Sequence, residues 1–286
     1  MNKILLTIFC LFLLSLDGFG QEYRVVDAEN RESLPYATVL FQQASKGVYA
    51  DRDGVFVIPN EYSSSDTISI SMIGYTPLDI KISDLTDTIF LAKTAYSLQS
   101  IVVTPGKKEK SKLVGFHSSG KRISWLNSRK FTPVRAAVHI KNSTGAQHKV
   151  DRLLYRHKQY DKDIRFIVRS QVYKVNEDDT PGVSLLHNSN PIILSGNGIL
   201  EVKIEEMLMF PIEGLFVGIE IMDAIDNDGG SIVSDNPIRY PVVFTSSYKE
   251  PLTHISYDLT RWTGYNNKHM RSDQGVLNFT FGLSYK

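Results

Sequence analysis

Apolar residues recur along this chain most often at every second position. Residues 67–73 (TISISMI) alternate isoleucine or methionine with threonine or serine, and residues 199–206 (ILEVKIEE) alternate aliphatic residues with glutamate or lysine. The closing stretch 276–285 (VLNFTFGLSY) repeats the pattern with aromatic residues. Side chains of a β-strand point alternately to its two faces, so each stretch predicts a strand with one apolar and one polar face.

Other segments are apolar throughout. Residues 36–41 (YATVLF) and 241–244 (PVVF) predict strands that are buried on both faces. No stretch after residue 21 shows a long repeat of 3.6 residues, and Gly, Pro, Asn and Asp separate the short segments. The sequence therefore predicts an all-β protein built from packed sheets.

The chain divides near residues 105–115, where the stretch TPGKKEKSKLVG brings Pro, Gly and charged residues together. Its 286 residues are enough for about two domains. We expect one small β-sandwich over residues 22–105, a linker over 106–115, and a second, larger sandwich of the jelly-roll or Ig-like kind over 116–286.

The first twenty residues have the pattern of a secretory signal peptide. Lys3 precedes an apolar run over residues 4–14, and the small residues Gly18 and Gly20 follow it. The apolar run is shorter than the roughly 20 residues needed to span a bilayer. We expect cleavage after Gly20, no transmembrane helix afterwards, and a location in the periplasm, at the outer membrane or outside the cell.

Cysteine content and charge exclude several classes of function. The only cysteine, Cys10, lies inside the apolar run and not at its end, so lipid attachment at this residue is not expected. The mature chain would have no disulfide, no thiol nucleophile and no thiolate metal ligand. The net charge of +1 provides no general attraction to nucleic acid, and no such partner is expected.

The stretch 51–59 (DRDGVFVIP) has the features of a β-hairpin. Asp53 and Gly54 form a turn dipeptide, because glycine adopts positive φ readily and aspartate tolerates it. A short apolar strand follows, and Pro59 ends it. These features predict scaffold and not a chemical site.

Four segments, in order, carry a resemblance to a known family: residues 23–41, 51–58, 69–75 and 97–104. The residues that match the family's pattern in the first two segments are Leu34, Pro35, Ala37, Val39, Asp51, Gly54, Phe56 and Ile58. The last two segments read SISMIGY and SLQSIVVT. Residues 22–105 thus resemble the carboxypeptidase regulatory-like domain, a transthyretin-like sandwich, in the form found in Bacteroidota.

This resemblance implies a non-catalytic domain in a bacterial envelope. Such domains accompany metallocarboxypeptidases or precede the plug of TonB-dependent receptors. The 171 residues over 116–286 are too few for a plug and large barrel, and no histidine has glutamate three positions later, as a carboxypeptidase zinc pair requires. The second half is assigned to no family of known activity.

Two groups of residues in the second half are candidate binding sites. Asp223, Asp226 and Asp228 lie close together before two glycines, as in loops that bind Ca²⁺, although the pattern also fits an acidic surface turn. Arg261, Trp262 and Tyr265 could line a groove for a sugar or peptide, although aromatic residues also pack in cores. No other cofactor is expected.

We therefore expect an exported, non-catalytic binding or assembly module whose partner is an envelope protein, polysaccharide or peptide. One alternative is a hydrolase of peptides or glycans with its site in residues 116–286. A second alternative is a small outer-membrane β-barrel, because the closing stretch 276–285 alternates and ends on an aromatic residue.

Overall fold

The computed structural model describes residues 21–94, 111–116, 121–123, 127–128, 131–230, 232, 237–248, 250–265 and 276–286. Nearly all regular structure in these residues is β-strand, and the one short 3-10 helix is Ile82–Asp84. No helix within these ranges is long and apolar enough to cross a bilayer. The all-β prediction is confirmed.

The first domain consists of two sheets packed face to face. Its strands are β1 (Glu22–Asp27), β2 (Thr38–Phe41), β3 (Lys46–Tyr49), β4 (Val55–Val57), β5 (Thr67–Ser71), β6 (Leu78–Lys81) and β7 (Thr88–Leu91). One sheet has the order β4-β1-β7, with β1 parallel to β7, and the other has the order β3-β2-β5-β6. Ile68 and Ile70 of β5 are buried between the sheets, as the alternation of residues 67–73 predicts.

The predicted turn at Asp53 and Gly54 is present, but it does not join a hairpin. The carboxylate of Asp51 accepts hydrogen bonds from the N–H groups of Asp53 and Val55, both at 2.8 Å. β3 precedes this turn and β4 follows it, and these two strands belong to different sheets. The turn therefore connects the two layers of the sandwich.

The second domain contains longer strands and more sheets. Its strands are β8 (Lys112–Gly115), β9 (Lys121–Ile123), β10 (Asn127–Ser128), β11 (Val134–Ile140), β12 (His148–Lys158), β13 (Arg165–Val175), β14 (Pro181–Ser184), β15 (Ile192–Leu194), β16 (Asn197–Lys203), β17 (Met209–Phe210), β18 (Leu215–Ile225), β19 (Ile238–Arg239), β20 (Phe244–Tyr248), β21 (Thr253–Ser256), β22 (Thr263–Gly264), β23 (Val276–Phe279) and β24 (Phe281–Tyr285).

Two large sheets enclose the main core of this domain. A seven-stranded sheet has the order β14-β13-β18-β11-β21-β22, with β15 beside β13. A five-stranded sheet has the order β16-β12-β24-β8, with β17 beside β12. β23, β20 and β9 form a smaller sheet, and β10 pairs with β19. Residues of both large sheets, such as Val217 and Leu283, share one buried cluster.

Residues 112–115 belong to the second domain and not to the predicted linker. They form β8, which pairs with β24, and Val114 packs against the main core. Only two apolar residues lie in this segment, so the sequence alone showed no alternation there. Residues 106–110 and the predicted signal peptide lie outside the described ranges.

The closing stretch 276–285 is buried on both sides, whereas its alternation predicted one polar face in contact with water. Asn278, Thr280 and Ser284 are at most 1% exposed. The side chain of Asn278 accepts from Leu252 N–H at 2.7 Å, and Thr280 donates to the carbonyl of Val243 at 2.7 Å. The chain passes from one sheet to another between β23 and β24. The polar side chains there form hydrogen bonds with backbone groups of neighbouring segments.

Gly54 and Gly74 provide a matched test of the first domain, because both have positive φ, at 75° and 87°. A Cβ at Gly54 would lie 2.9 Å from the carbonyl oxygen of Val25, whereas at Gly74 the nearest atom is at 3.6 Å. We expect Gly74→Ala to lower the free energy of unfolding by about 1 kcal/mol through backbone strain. We expect Gly54→Ala to lower it by about 3 kcal/mol, because it adds a clash with backbone. Denaturant unfolding would measure both, and equal losses would contradict the close contact at Gly54.

Candidate functional site

Three charged residues lie side by side on the outer face of the seven-stranded sheet. Arg135 of β11 and Arg169 of β13 are each directly opposite Glu220 of β18. Arg169 Nη2 is 2.6 Å from Glu220 Oε2, and Arg135 Nε is 2.9 Å from Glu220 Oε1. Each carboxylate oxygen therefore has its own guanidinium partner.

The first domain covers these three charges. Tyr36 accepts a hydrogen bond on its carbonyl from Arg169 at 3.4 Å, and the hydroxyl of Tyr49 accepts one from Arg135 at 3.4 Å. The side chains of Arg169 and Glu220 are only 2% exposed. We call these five residues the seam, because they join the two domains through buried polar contacts.

Left-handed backbone conformations supply acceptors at the seam and beside it. Tyr36, Ser45 and Leu259 have φ values of 58°, 50° and 61°, which non-glycine residues adopt rarely. The carbonyls of Ser45 and Leu259 accept hydrogen bonds from Thr260 and Arg135, both at 2.7 Å. Strained conformations thus occur where the domains meet.

The charge of Glu220 depends on its neighbours. Burial alone would raise the pKa of this carboxyl, but Arg169 and Arg135 outweigh that effect and hold the pKa below its usual value. Burial also raises the pKa of Tyr49 to about 12, so its hydroxyl is neutral at physiological pH. The seam therefore holds one anion between two cations.

A cleft lies on the other sheet of the second domain, where β12 ends and β16 begins. Its volume is about 370 Å³, and its lining residues are Arg156, His157, Lys158, Tyr160, Asn197, Gly198 and Val243. We call it the Tyr160 cleft. Lys158 Nζ lies 4.9 Å from the centroid of the Tyr160 ring, and Arg239 Cζ lies 5.8 Å from it.

The polar groups of the Tyr160 cleft suit contact with a ligand. Asn197 accepts the N–H of Gln159 on its side-chain oxygen at 2.9 Å, which leaves its amide nitrogen as a donor. Burial lowers the pKa of His157, so its ring is neutral at pH 7. None of the lining residues is a carboxylate.

The family model of the CarboxypepD_reg-like domain matches residues 24–103. This match confirms the resemblance seen in the sequence. No curated protein sequence matches the chain. A solved structure of the clostridial cysteine protease Cwp84 after propeptide cleavage is similar over 94% of this chain and 70% of its own, with 14% identity and a TM-score of 0.37. Values this low support no inference about this chain.

The predicted calcium ligands do not form a site in this structure. Asp223 faces Tyr36 of the CarboxypepD_reg-like domain and accepts the N–H of Ala224 at 2.8 Å. Asp226 accepts the N–H groups of Asp228 and Gly230 at 2.9 and 2.7 Å. Within the described ranges no three His, Cys, Asp or Glu residues are grouped to hold a metal ion. Asp223 and Asp226 each use one carboxylate oxygen to accept backbone N–H groups of the turn.

The predicted aromatic groove is not formed by its three residues. Trp262 packs edge-on against Tyr173 on the outer face of the seven-stranded sheet, with the two ring centroids 5.2 Å apart. Tyr265 stacks on Phe244, with ring centroids 4.7 Å apart, and packs against the main core. Arg261 is exposed and pairs with Asp258 at 3.1 Å. The two aromatic residues therefore serve packing in different clusters.

Sequence reasoning missed the seam and the Tyr160 cleft. The stretch 155–163 (YRHKQYDKD) indicated only an interruption between strands, although it places three basic residues next to an aromatic one. A search for clustered cations beside tyrosine would have found the cleft. The seam has no local signal, because its members lie far apart in the chain.

We expect Glu220→Gln to lower the free energy of unfolding by about 3–5 kcal/mol, because the buried guanidinium group of Arg169 and the partly buried one of Arg135 lose their counter-charge. The matched control is Glu201→Gln, which breaks the exposed pair with Arg152 at 3.0 Å. That control should cost less than about 1 kcal/mol. Denaturant unfolding would compare the two, and a similar small loss for both would show that the seam contributes little.

Proposed function

We propose that this chain is an exported, non-catalytic binding protein of the bacterial envelope. The CarboxypepD_reg-like domain acts as a fixed support, and the second domain supplies the ligand surface at the Tyr160 cleft. The observation that carries the proposal is the composition of this cleft, which combines cations, a tyrosine ring and an amide without any carboxylate.

Such a lining favours binding over catalysis. Aromatic rings and amide groups bind sugars and peptides, and cations orient their acidic groups. Glycoside hydrolysis in most families needs two carboxylates about the scissile bond. A histidine acting as base is normally oriented by an acid or amide partner. Nδ1 of His157 has no hydrogen-bond partner among the described residues, and burial lowers the pKa of this ring.

The seam supports the role of the CarboxypepD_reg-like domain as a fixed support. Buried charges tolerate little displacement, because each lost contact leaves a desolvated charge. The seam lies on the outer face of the seven-stranded sheet, whereas the cleft lies beside β12 and β16 of the other sheet. Docking of the two domains thus leaves the cleft accessible.

Export rests on the sequence of residues 1–20. Lys3, the apolar run over 4–14 and the small residues Gly18 and Gly20 fit a signal that is removed. The family resemblance of residues 22–105 also favours an envelope setting. The proposed location is the periplasm, the outer membrane or the cell exterior.

We expect the precursor expressed in a bacterium to yield an exported product whose first residue is Gln21. Mass spectrometry of the N-terminal peptide in periplasmic, membrane and medium fractions would identify it. The control variant Leu11→Arg, with a charge in the apolar run, should accumulate uncleaved in the cytoplasm. Recovery of the unprocessed parent chain in the cytoplasm would contradict export.

The binding role is tested by incubating the full chain with purified peptidoglycan, lipopolysaccharide, envelope polysaccharides and peptides. We expect reversible, saturable binding to one of them, with the ligand recovered unchanged by chromatography. The variant His157→Gln keeps a hydrogen-bonding side chain in the cleft but no group that could act as a base, and any binding that it retains should again leave the ligand unchanged. Product that increases with time in the parent and disappears in His157→Gln would instead establish a hydrolase.

A further inference from the structure

Lys158 and Arg239 differ from the paired cations of the second domain. Arg152 is paired with Glu201 at 3.0 Å and Arg261 with Asp258 at 3.1 Å. Lys158 and Arg239 are exposed, and in the described part of the chain neither has a carboxylate partner. Both lie instead over the ring of Tyr160. Lys158 lines the cleft and Arg239 lies beside it over the same ring, so two cations without a salt bridge to any described carboxylate lie close to Tyr160.

The floor of the cleft offers further polar groups. His157 Nδ1 is buried and has no hydrogen-bond partner among the residues that the structure describes. Gly198 also lines the cleft, next to the ring of His157. A buried polar atom without a partner is costly unless a water or a ligand satisfies it. The cleft thus contains both charged and neutral groups that can bind oxygen atoms.

We propose that the Tyr160 cleft binds an acidic polysaccharide, with Lys158 and Arg239 contacting its carboxylate or sulfate groups. The Tyr160 ring and the Asn197 amide contact the neutral parts of the sugar. This inference rests on the proposed binding function and adds the chemical class of the ligand.

The shape of the site favours a polysaccharide over a membrane surface. A protein that lies on a membrane inserts apolar side chains between lipids beside its cations. Here the cations border a recess of about 370 Å³, in the range of pockets that enclose part of a small ligand. Tyrosine has an apolar face for sugar C–H groups and a polar end for hydroxyls.

The test uses the full chain and oligosaccharides of galacturonic acid, their sulfated counterparts and neutral oligogalactose of the same length. Isothermal titration calorimetry should detect binding of the acidic oligosaccharides and no binding of the neutral ones. Lys158→Gln and Arg239→Gln should each weaken binding about tenfold, as expected when a charge-assisted contact is lost. Higher salt should weaken binding further.

The control variants Lys174→Gln and Arg24→Gln each remove one positive charge, as the cleft variants do, but at exposed positions outside the cleft. Both should keep affinity within about twofold of the parent. Thermal melting of all four variants would show that each one folds. Equal weakening in the control and cleft variants would overturn the proposed site, since it would indicate general charge attraction.

The remaining outcomes separate this inference from the proposed function. If the parent chain binds no acidic oligosaccharide, the inference is overturned. It is also overturned if Lys158→Gln and Arg239→Gln weaken binding to phosphatidylglycerol vesicles but not binding to acidic oligosaccharides. If either outcome is accompanied by reversible binding of a neutral polysaccharide or a peptide, the proposed binding function stands and only the acidic class of ligand is wrong. Turnover of any ligand overturns the proposed function itself.

Discussion

The buried carboxylate of Glu220 is the constraint on which the arrangement of both domains depends. A charge without solvent is tolerated only when its partners and hydrogen bonds are in place. Arg135 and Arg169 provide the counter-charge from neighbouring strands, and the CarboxypepD_reg-like domain excludes water from above. Arg169 also donates to the carbonyl of Tyr36, so separation of the domains would break this hydrogen bond and expose to water a charge network that docking buries.

Docking of the first domain also determines which surfaces of the second domain remain open to a ligand. One end of the seven-stranded sheet is covered at the seam, and Trp262 packs on Tyr173 at another part of the same face. The Tyr160 cleft lies on the opposite sheet, and its cations are not used in holding the domains together. The proposed support and the proposed ligand surface therefore lie on different faces of one sandwich, so that changes in one need not disturb the other.

Local patterns in the sequence predicted the strands well, and they failed where distant segments meet. Ile68 and Ile70 are buried as their alternation requires, and the family resemblance over residues 22–105 is confirmed. The seam joins Tyr36, which precedes β2, and Tyr49 of β3 to three strands that are distant in the chain, and no local pattern encodes that pairing. The spacing of Asp223, Asp226 and Asp228 suggested calcium, but it could not show that one oxygen of Asp223 and one of Asp226 accept backbone N–H groups.

Hydrogen exchange followed by mass spectrometry, on the parent and on an Arg169→Met variant, tests the role of the seam most directly. If buried charges hold the domains together, exchange should become faster in Lys46–Tyr49 of the CarboxypepD_reg-like domain as well as in Arg165–Val175, because both lose protection when the contact opens. Thr67–Ser71, at the centre of the first sandwich, should be unchanged. Unaltered exchange in Lys46–Tyr49 would contradict the account, since it would mean that the domains stay docked without the charge network.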